Sequence, residues 1–178
     1  MEVWDLYDEN RQKINKTMSK SEKRPSGVYN LRVHLCVFNK NGEMLIQQRE
    51  ANKKHWPNIW SITLSGGVMA GESSNVALAR EVKEEFGVDI DFSNERPYLT
   101  INTEGSFQDI YIINSDIDTN TLQFRDGEVQ AVRWASKHEI LRMIENKEFL
   151  QYHTSFIELM FDMREGRGIL QPEGRLVL

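Results

Sequence analysis

The 178-residue chain has little that could staple a fold or anchor it in a membrane. Cys36 is its only cysteine, so an intrachain disulfide and a multi-cysteine metal site are excluded, and any metal must be bound by oxygen or histidine. No apolar run approaches the roughly 18 residues that a membrane span requires. The start of the chain carries Glu2 and Asp5 where a secretory signal would be basic. We therefore expect a cytoplasmic protein with no membrane partner.

The chain also lacks an excess of positive charge. Its 22 Lys and Arg residues stand against 27 Asp and Glu residues, which gives a formal net charge of -5. Nonspecific binding to a nucleic-acid polymer depends on a basic surface, so that function class is disfavoured. The net charge is still compatible with a small anionic ligand, provided that local cations or a metal bind it. The composition, with 28% charged and 39% hydrophobic residues, is typical of one globular domain.

Alternating apolar and polar side chains predict most of the strands. The predicted strands are 3–7, 31–38, 44–48, 59–64, 98–102, 107–114 and 129–135. Segment 13–27 is polar and charged, and it predicts a surface loop. Helical spacing predicts helices over 74–86 and 149–164, and a third helix that begins after Ser136 as its N-cap. Strands and helices intermixed in this way predict an α/β sandwich.

The helix predicted over 74–86 has one apolar face and one acidic face. Glu81, Glu84 and Glu85 cluster on the acidic face. Like charges at this spacing weaken an isolated helix by about 0.2 to 0.5 kcal/mol per pair, so local helix stability does not explain the cluster. Binding of a divalent cation would explain it, although three glutamates by themselves are more commonly a solvated surface.

A longer pattern decides between these two interpretations. From Gly66 to Val88 the chain reads Gly-x5-Glu-x7-Arg-Glu-Val-x-Glu-Glu-x-Gly-Val. Seven fixed residues and two aliphatic ones coincide by chance with a probability on the order of one in 10⁸ at average composition. At this point the sequence resembles the Nudix hydrolase superfamily, and the pattern fills every fixed position of the family's Nudix box.

The resemblance implies an α/β/α sandwich with a mixed β-sheet and a Nudix loop-helix. It implies that Glu81, Glu84 and Glu85, with the carbonyl oxygen of Gly66, bind Mg²⁺ or Mn²⁺, because carboxylates are ligands that Mg²⁺ prefers. Glu81 is then the candidate that orients or deprotonates water, and Arg80 is expected to pair with a neighbouring carboxylate and to fix its rotamer.

Two glycines and one further glutamate of the box have roles that are less direct. Gly66 and Gly67 are expected to let the backbone bend tightly, so that a carbonyl oxygen approaches the metal and phosphates approach the backbone of Gly67. Glu72 is either an additional carboxylate behind the metal ligands or an ion-pair partner of Arg80, and we prefer the ion pair.

Upstream of the box, Gln48 to Lys53 and the following Trp56 to Trp60 resemble the branch of the superfamily that includes isopentenyl-diphosphate isomerase. Arg49 and Lys53 are then candidates for binding substrate phosphate, with an ordinary surface at a strand end as the equal alternative. Glu128 is a further candidate metal ligand or base, but a solvated glutamate at a strand end is preferred.

The isomerase resemblance would require a catalytic cysteine in the strand that leads to the box. Residues 60–67 contain none, and Cys36 lies far upstream on a predicted strand, where an inert buried thiol is favoured. The leading hypothesis is a Mg²⁺-dependent hydrolase that cleaves a diphosphate linkage in a nucleoside diphosphate derivative or a related small molecule. The alternatives are a prenyl diphosphate isomerase and a noncatalytic nucleotide-sensing module.

The predicted domain organisation has three parts. Residues 1–27 form an N-terminal extension with a short strand or hairpin and a loop, residues 28–165 form the Nudix domain, and residues 166–178 form a C-terminal tail. The extension leaves room for a homodimer, although no residue pattern demonstrates one. No further sequence signature specifies the substrate.

Overall fold

The computed structural model describes residues 2–124, 127–168 and 170. In order along the chain, its strands and helices are β1 (Val3–Tyr7), β2 (Lys13–Ser19), β3 (Asn30–Phe38), β4 (Met44–Arg49), β5 (Trp60–Ser61), β6 (Leu64–Gly67), α1 (Ser74–Phe86), β7 (Leu99–Asn102), β8 (Ser106–Asn114), β9 (Val129–Ala135), α2 (Lys137–Glu145) and α3 (Thr154–Met163). None of the helices in the described residues has the length and apolar character that a membrane span requires.

The chain divides into two compact units. The first unit comprises the described residues of Met1–Leu35, Leu64–Tyr111 and Leu122–Asp126. In it, β3 pairs with β6 and β7 pairs with β8, both antiparallel, and α1 packs on β6. This unit contains the whole Nudix box.

The N-terminal segment of the first unit is an antiparallel hairpin of β1 and β2. Tyr7 and Tyr29 exchange backbone hydrogen bonds of 2.8 and 2.9 Å, and Leu6 and Met18 are buried. At the turn, the Arg11 guanidinium forms an ion pair with the fully buried Asp109 carboxylate. The hairpin is therefore fastened to the rest of the unit at several points.

The second unit comprises the described residues of Cys36–Thr63, Ile112–Thr121 and Gly127–Leu178. Its central strand is β4, which pairs with β9 along its length and with β5 on its other side. Helices α2 and α3 pack together in this unit. Ser136 is the N-cap of α2, as predicted, and its hydroxyl accepts a hydrogen bond from the Glu139 amide.

Three predicted elements differ from the structure. Residues 13–19 form β2, where a loop was predicted, because a two-stranded hairpin leaves most side chains of β2 in solvent and needs few apolar residues. The strand predicted over 59–64 is two strands, β5 and β6, since the hydroxyl of Thr63 between them bonds the carbonyl of Leu45. The helix predicted from Phe149 begins only at Thr154, because residues 148–150 exchange backbone hydrogen bonds with Trp60.

The predicted C-terminal tail is only partly described. Residues 169 and 171–178 of the segment 166–178 lie outside the described residues. The predicted boundary between an N-terminal extension and a domain that starts at residue 28 stays a prediction.

Candidate active site

Helix α1 presents the glutamates of the box along one side. It begins at Ser74 after an extended Ser73, and it ends at Gly87, whose left-handed backbone (φ 72°) lets its amide bond the Lys83 carbonyl at 3.0 Å. Both ends agree with the sequence prediction. An adjoining side of α1 is buried through Leu78, Val82 and Phe86. Burial of this apolar side orients the helix and therefore orients its acidic side.

Arg80 is the centre of the hydrogen-bond network on this acidic side. Its guanidinium donates to both carboxylate oxygens of Glu72, at 2.8 and 3.0 Å. It also donates to Glu81 at 3.0 Å and to Glu84 at 2.9 Å, and its Nη2 atom donates to the carbonyl oxygen of Gly67 at 2.9 Å. One planar cation thus joins the end of β6, the β6–α1 loop (residues 68–73) and the helix.

Glu72 is held in the ion-pair arrangement that the sequence favoured. In addition to the two bonds from Arg80, one of its oxygens accepts the Met69 amide at 2.9 Å. Burial acts to raise the pKa of Glu72, but the bonds from Arg80 and from the Met69 amide outweigh it, and the pKa lies below its ordinary value. Glu72 therefore closes the β6–α1 loop onto Arg80.

The carboxylate of Glu81 lies directly against the backbone of Gly66. A Cβ atom at position 66 would overlap the Glu81 carboxylate, so any larger residue would displace it. Burial raises the pKa of Glu81 above its ordinary value, and the positive charge of Arg80 offsets only part of that effect. Glu81 is thus a sheltered carboxylate with increased basicity.

The tight backbone bend predicted at the two glycines is absent. Gly66 and Gly67 lie in the extended strand β6, and neither has a positive φ. Glycine is required here by close packing on both faces, because a Cβ atom at Gly67 would lie 2.8 Å from Trp4 Nε1. The carbonyl oxygen of Gly67 accepts from Arg80, so that atom is engaged within the protein and a substrate contact through it is not favoured.

The donor set fits a hard divalent cation. Glu84 is half exposed at the surface, Glu85 is only 8% exposed, and both lie on the helix that carries Glu81. Several carboxylates around a single guanidinium leave surplus negative charge in a partly buried place, which a cation such as Mg²⁺ would neutralise. The side chains do not already form a coordination sphere. Among residues 2–124, 127–168 and 170, no three His, Cys, Asp or Glu side chains are arranged to hold a metal ion.

The N-terminal hairpin supports the β6–α1 loop, a contact that the sequence pattern did not predict. The Ala70 amide donates to the Val3 carbonyl at 2.8 Å, and the Gly71 amide donates to the Asp5 carboxylate at 2.9 Å. Through these bonds, residues of β1 hold the backbone of the loop in place. The two bonded residues Asp5 and Gly71 are 66 positions apart, so no local signal indicates such a contact.

The second unit contains the other predicted site residues, and it pairs them with one another. Glu128 accepts from Lys53 at 2.5 Å and forms an ion pair of 3.2 Å with Arg49. Glu128 is partly exposed directly before β9, where a solvated glutamate at a strand end was preferred, and it also bridges the two cations proposed for phosphate. Two cations and one carboxylate leave a surplus of positive charge, so the trio can still receive an anion.

Comparison with known proteins identifies the family. The sequence model described as the NUDIX domain matches residues 28–158. An uncharacterized Nudix hydrolase of Listeria innocua is 37% identical over 169 residues, which cover 95% of this chain and 99% of that one. The chain belongs to the Nudix family of hydrolases.

More distant similarities are consistent with this assignment. An isopentenyl-diphosphate Delta-isomerase of Shigella dysenteriae is 28% identical over 133 residues, which cover 70% of this chain and 73% of that one. The crystal structure of DR0079 from Deinococcus radiodurans superposes with a TM-score of 0.73 at 21% identity, over 89% of this chain and 99% of that one. The MutT protein of Methanosarcina mazei gives a TM-score of 0.57 at 22% identity, over 82% and 99%. The predicted fold class is confirmed.

The role of Arg80 can be tested through stability. Arg80→Gln should lower the free energy of unfolding by about 2–3 kcal/mol, because it leaves Glu72 and Glu81 as sheltered carboxylates without their cation. The matched control is Lys83→Gln on the same helix. Its ion pair with Asp89 is exposed, so the loss should be at most about 0.5 kcal/mol.

Urea unfolding of both variants measures the difference, and the double variant Arg80→Gln/Glu72→Gln adds a coupling test. Because the two residues share two hydrogen bonds, the double variant should lose less than the sum of the single losses. Equal stabilities of Arg80→Gln and Lys83→Gln would contradict a central role for the guanidinium.

Proposed function

We propose that the protein is a Mg²⁺-dependent hydrolase that cleaves a diphosphate linkage in a nucleoside diphosphate derivative or a related small molecule. The observation that carries this proposal is the arrangement around Arg80, in which one guanidinium organises Glu72, Glu81 and Glu84 beside the buried Glu85. No structural need explains so many acids on one turn of helix, whereas a hard cation does.

In this proposal Glu81, Glu84 and Glu85, with the Gly66 carbonyl, would hold the metal. Bound there, Mg²⁺ would neutralise phosphate oxygens and favour attack by water on phosphorus. Glu81 would accept the proton of the attacking water at its carboxylate, which lies sheltered against the backbone of Gly66. Glu81 and Glu84 would exchange the guanidinium for the cation, while Glu72 keeps Arg80 in place through its two bonds.

Phosphate charge also needs protein cations. We assign Arg49 and Lys53 to this task because both already bind a carboxylate, Glu128, which has the same hard anionic oxygens as a phosphate. Glu128 would hold the two side chains in position and would give way to the substrate.

The two alternative functions are less well supported. The sequence pattern at 48–53 resembles the isomerase branch. However, Cys36 is fully buried and burial raises the pKa of its thiol, so it is a poor acid or nucleophile. A noncatalytic sensing module would be expected to lack the box residues, yet Arg80, Glu81, Glu84 and Glu85 are all present.

Substitution of the thiol separates hydrolase from isomerase. Cys36→Ala should lower the free energy of unfolding by on the order of 1 kcal/mol and leave diphosphate hydrolysis nearly unchanged, because the thiol of this β3 residue is buried and fills space in the core. Cleavage of diphosphate linkages and double-bond migration in isopentenyl diphosphate would both be followed. Migration that depends on Cys36, without cleavage of any diphosphate linkage, would favour the isomerase over our proposal.

The proposal as a whole is tested by incubating a panel of nucleoside diphosphate derivatives and diphosphates with Mg²⁺ and separating the products by chromatography. We expect hydrolysis of at least one member into two products, each of which carries one phosphate of the cleaved linkage. Binding of panel members without turnover of any of them would favour the sensing module. The preferred substrate, a cytoplasmic location and a homodimer remain predictions.

A further inference from the structure

A polar pocket lies within the first unit, beside the N-terminal hairpin. It has a volume of about 350 Å³, which is enough for a small anion and the groups that would bind it. The lining residues that matter for its chemistry are Trp4, Arg24, Asn30, Arg32, Glu104 and Ser106. We call it the Arg24–Arg32 pocket.

The Arg24–Arg32 pocket lies on the face of β6 opposite to Glu81. Successive residues of a strand point to opposite faces, and here Gly66 faces Glu81 while Gly67 faces Trp4. Arg32 of β3 pairs in register with Gly67, and its Nη2 atom donates to the Ser65 hydroxyl at 3.3 Å. The pocket is therefore separate from the acidic side of α1, although both adjoin the same short strand.

The charges of the pocket favour an anion. Arg24 and Arg32 contribute two guanidinium groups, against one lining carboxylate, that of the exposed Glu104. Arg24 donates to the Asn30 amide oxygen at 3.1 Å, a neutral acceptor that positions the guanidinium without cancelling its charge. Two arginines that line one pocket stand out in a chain whose net charge is -5.

The guanidinium of Arg24 has a defined place in the pocket. A Cβ atom at Gly105 would overlap the guanidinium, so Arg24 packs on a stretch of backbone that only glycine leaves open. Planar guanidiniums match the oxygens of a phosphate group.

We propose that the Arg24–Arg32 pocket binds a small phosphate-bearing anion at a site distinct from the one that carries out hydrolysis. This inference goes beyond the proposed function and does not depend on it, because the site uses neither the glutamates of α1 nor a metal. Arg24 and Arg32 supply the charge, Asn30 and Ser106 supply neutral polar groups, and Glu104 at the rim weakens the attraction.

The test is calorimetric titration of the full chain with inorganic pyrophosphate in excess chelator, which removes divalent cations from the acidic side of α1. Arg24→Gln should weaken binding by at least about tenfold, because it removes a charge-assisted hydrogen bond. Glu104→Gln should strengthen binding by up to about fivefold, because it removes the opposing charge. A gain of affinity cannot arise from misfolding.

Two control variants complete the experiment. Arg142→Gln changes an arginine of α2 and should bind pyrophosphate as the parent chain does. Arg49→Gln weakens the other candidate for phosphate, so the effects of Arg24→Gln and Glu104→Gln are also measured in that background, where they should persist. Weaker binding by Arg24→Gln together with tighter binding by Glu104→Gln in both backgrounds supports the site. Any other pattern, including no binding by the parent chain or loss of these effects in the Arg49→Gln background, overturns it.

Discussion

Replacing Glu81 by glutamine should lower the turnover of diphosphate hydrolysis by about 10²- to 10³-fold and leave the fold intact. The amide has the shape of the carboxylate, so it fits against Gly66, but it lacks both the charge that would hold a cation and the basicity to accept a proton from water. Glu85→Gln should have an effect of similar size, because Glu85 lies on the same helix and is almost completely buried.

The thermal stability of Glu81→Gln should rise slightly or stay unchanged. Since burial raises the pKa of Glu81, its charged form is disfavoured in the folded protein, and a neutral glutamine relieves that cost. The melting temperature of Glu81→Gln in metal-free buffer is therefore expected to equal or slightly exceed that of the parent chain. Glu145→Gln, at an exposed position of α2, is the control for the substitution itself. If both Glu81→Gln and Glu85→Gln keep the turnover of the parent chain, the acidic side of α1 is an ordinary solvated surface without a catalytic role.

Excess chelator should abolish hydrolysis, and added Mg²⁺ or Mn²⁺ should restore it. The chain offers carboxylate oxygens on α1 and no cluster of thiols, because Cys36 is its only cysteine, and such hard ligands favour these cations. The measurement is the rate of formation of the two cleavage products at increasing concentrations of chelator, followed by titration with each metal.

Thermal unfolding gives a second readout of the same prediction, independent of turnover. A cation that binds the folded chain should raise the melting temperature, and the rise should disappear in Glu85→Gln. Undiminished hydrolysis in excess chelator would exclude the metal-dependent mechanism. A rise in melting temperature that persists in Glu85→Gln would place the cation elsewhere in the protein.

The chemistry of the box could be predicted from sequence because it depends on local spacing. Glu81, Glu84 and Glu85 recur at intervals that put them on one side of any α-helix, and Gly87 ends that helix for a reason of backbone conformation. The capped start of α2 at Ser136 was predictable for the same reason. In each case the interacting residues lie within a turn or two of one another.

The partners of these residues were decided by tertiary structure. The sequence did not show that Glu128 would bridge Arg49 and Lys53, because 75 positions separate it from Lys53. It did not show that Gly66 and Gly67 are glycines because Glu81 and Trp4 pack against them, since that requirement arises only when β6 meets α1 and the N-terminal hairpin.

The same distinction explains the predicted elements that were wrong. Strand β2 lacks an apolar pattern because it pairs only with β1 among the described residues and most of its side chains are exposed to solvent. Residues 149–153 do not form the first turn of α3 because the backbone of Trp60 bonds Glu148 and Leu150 at the start of this segment. Local periodicity therefore determined which residues carry the chemistry. Long-range hydrogen bonds and close packing decided what each of them contacts, because those interactions connect residues that the sequence keeps far apart.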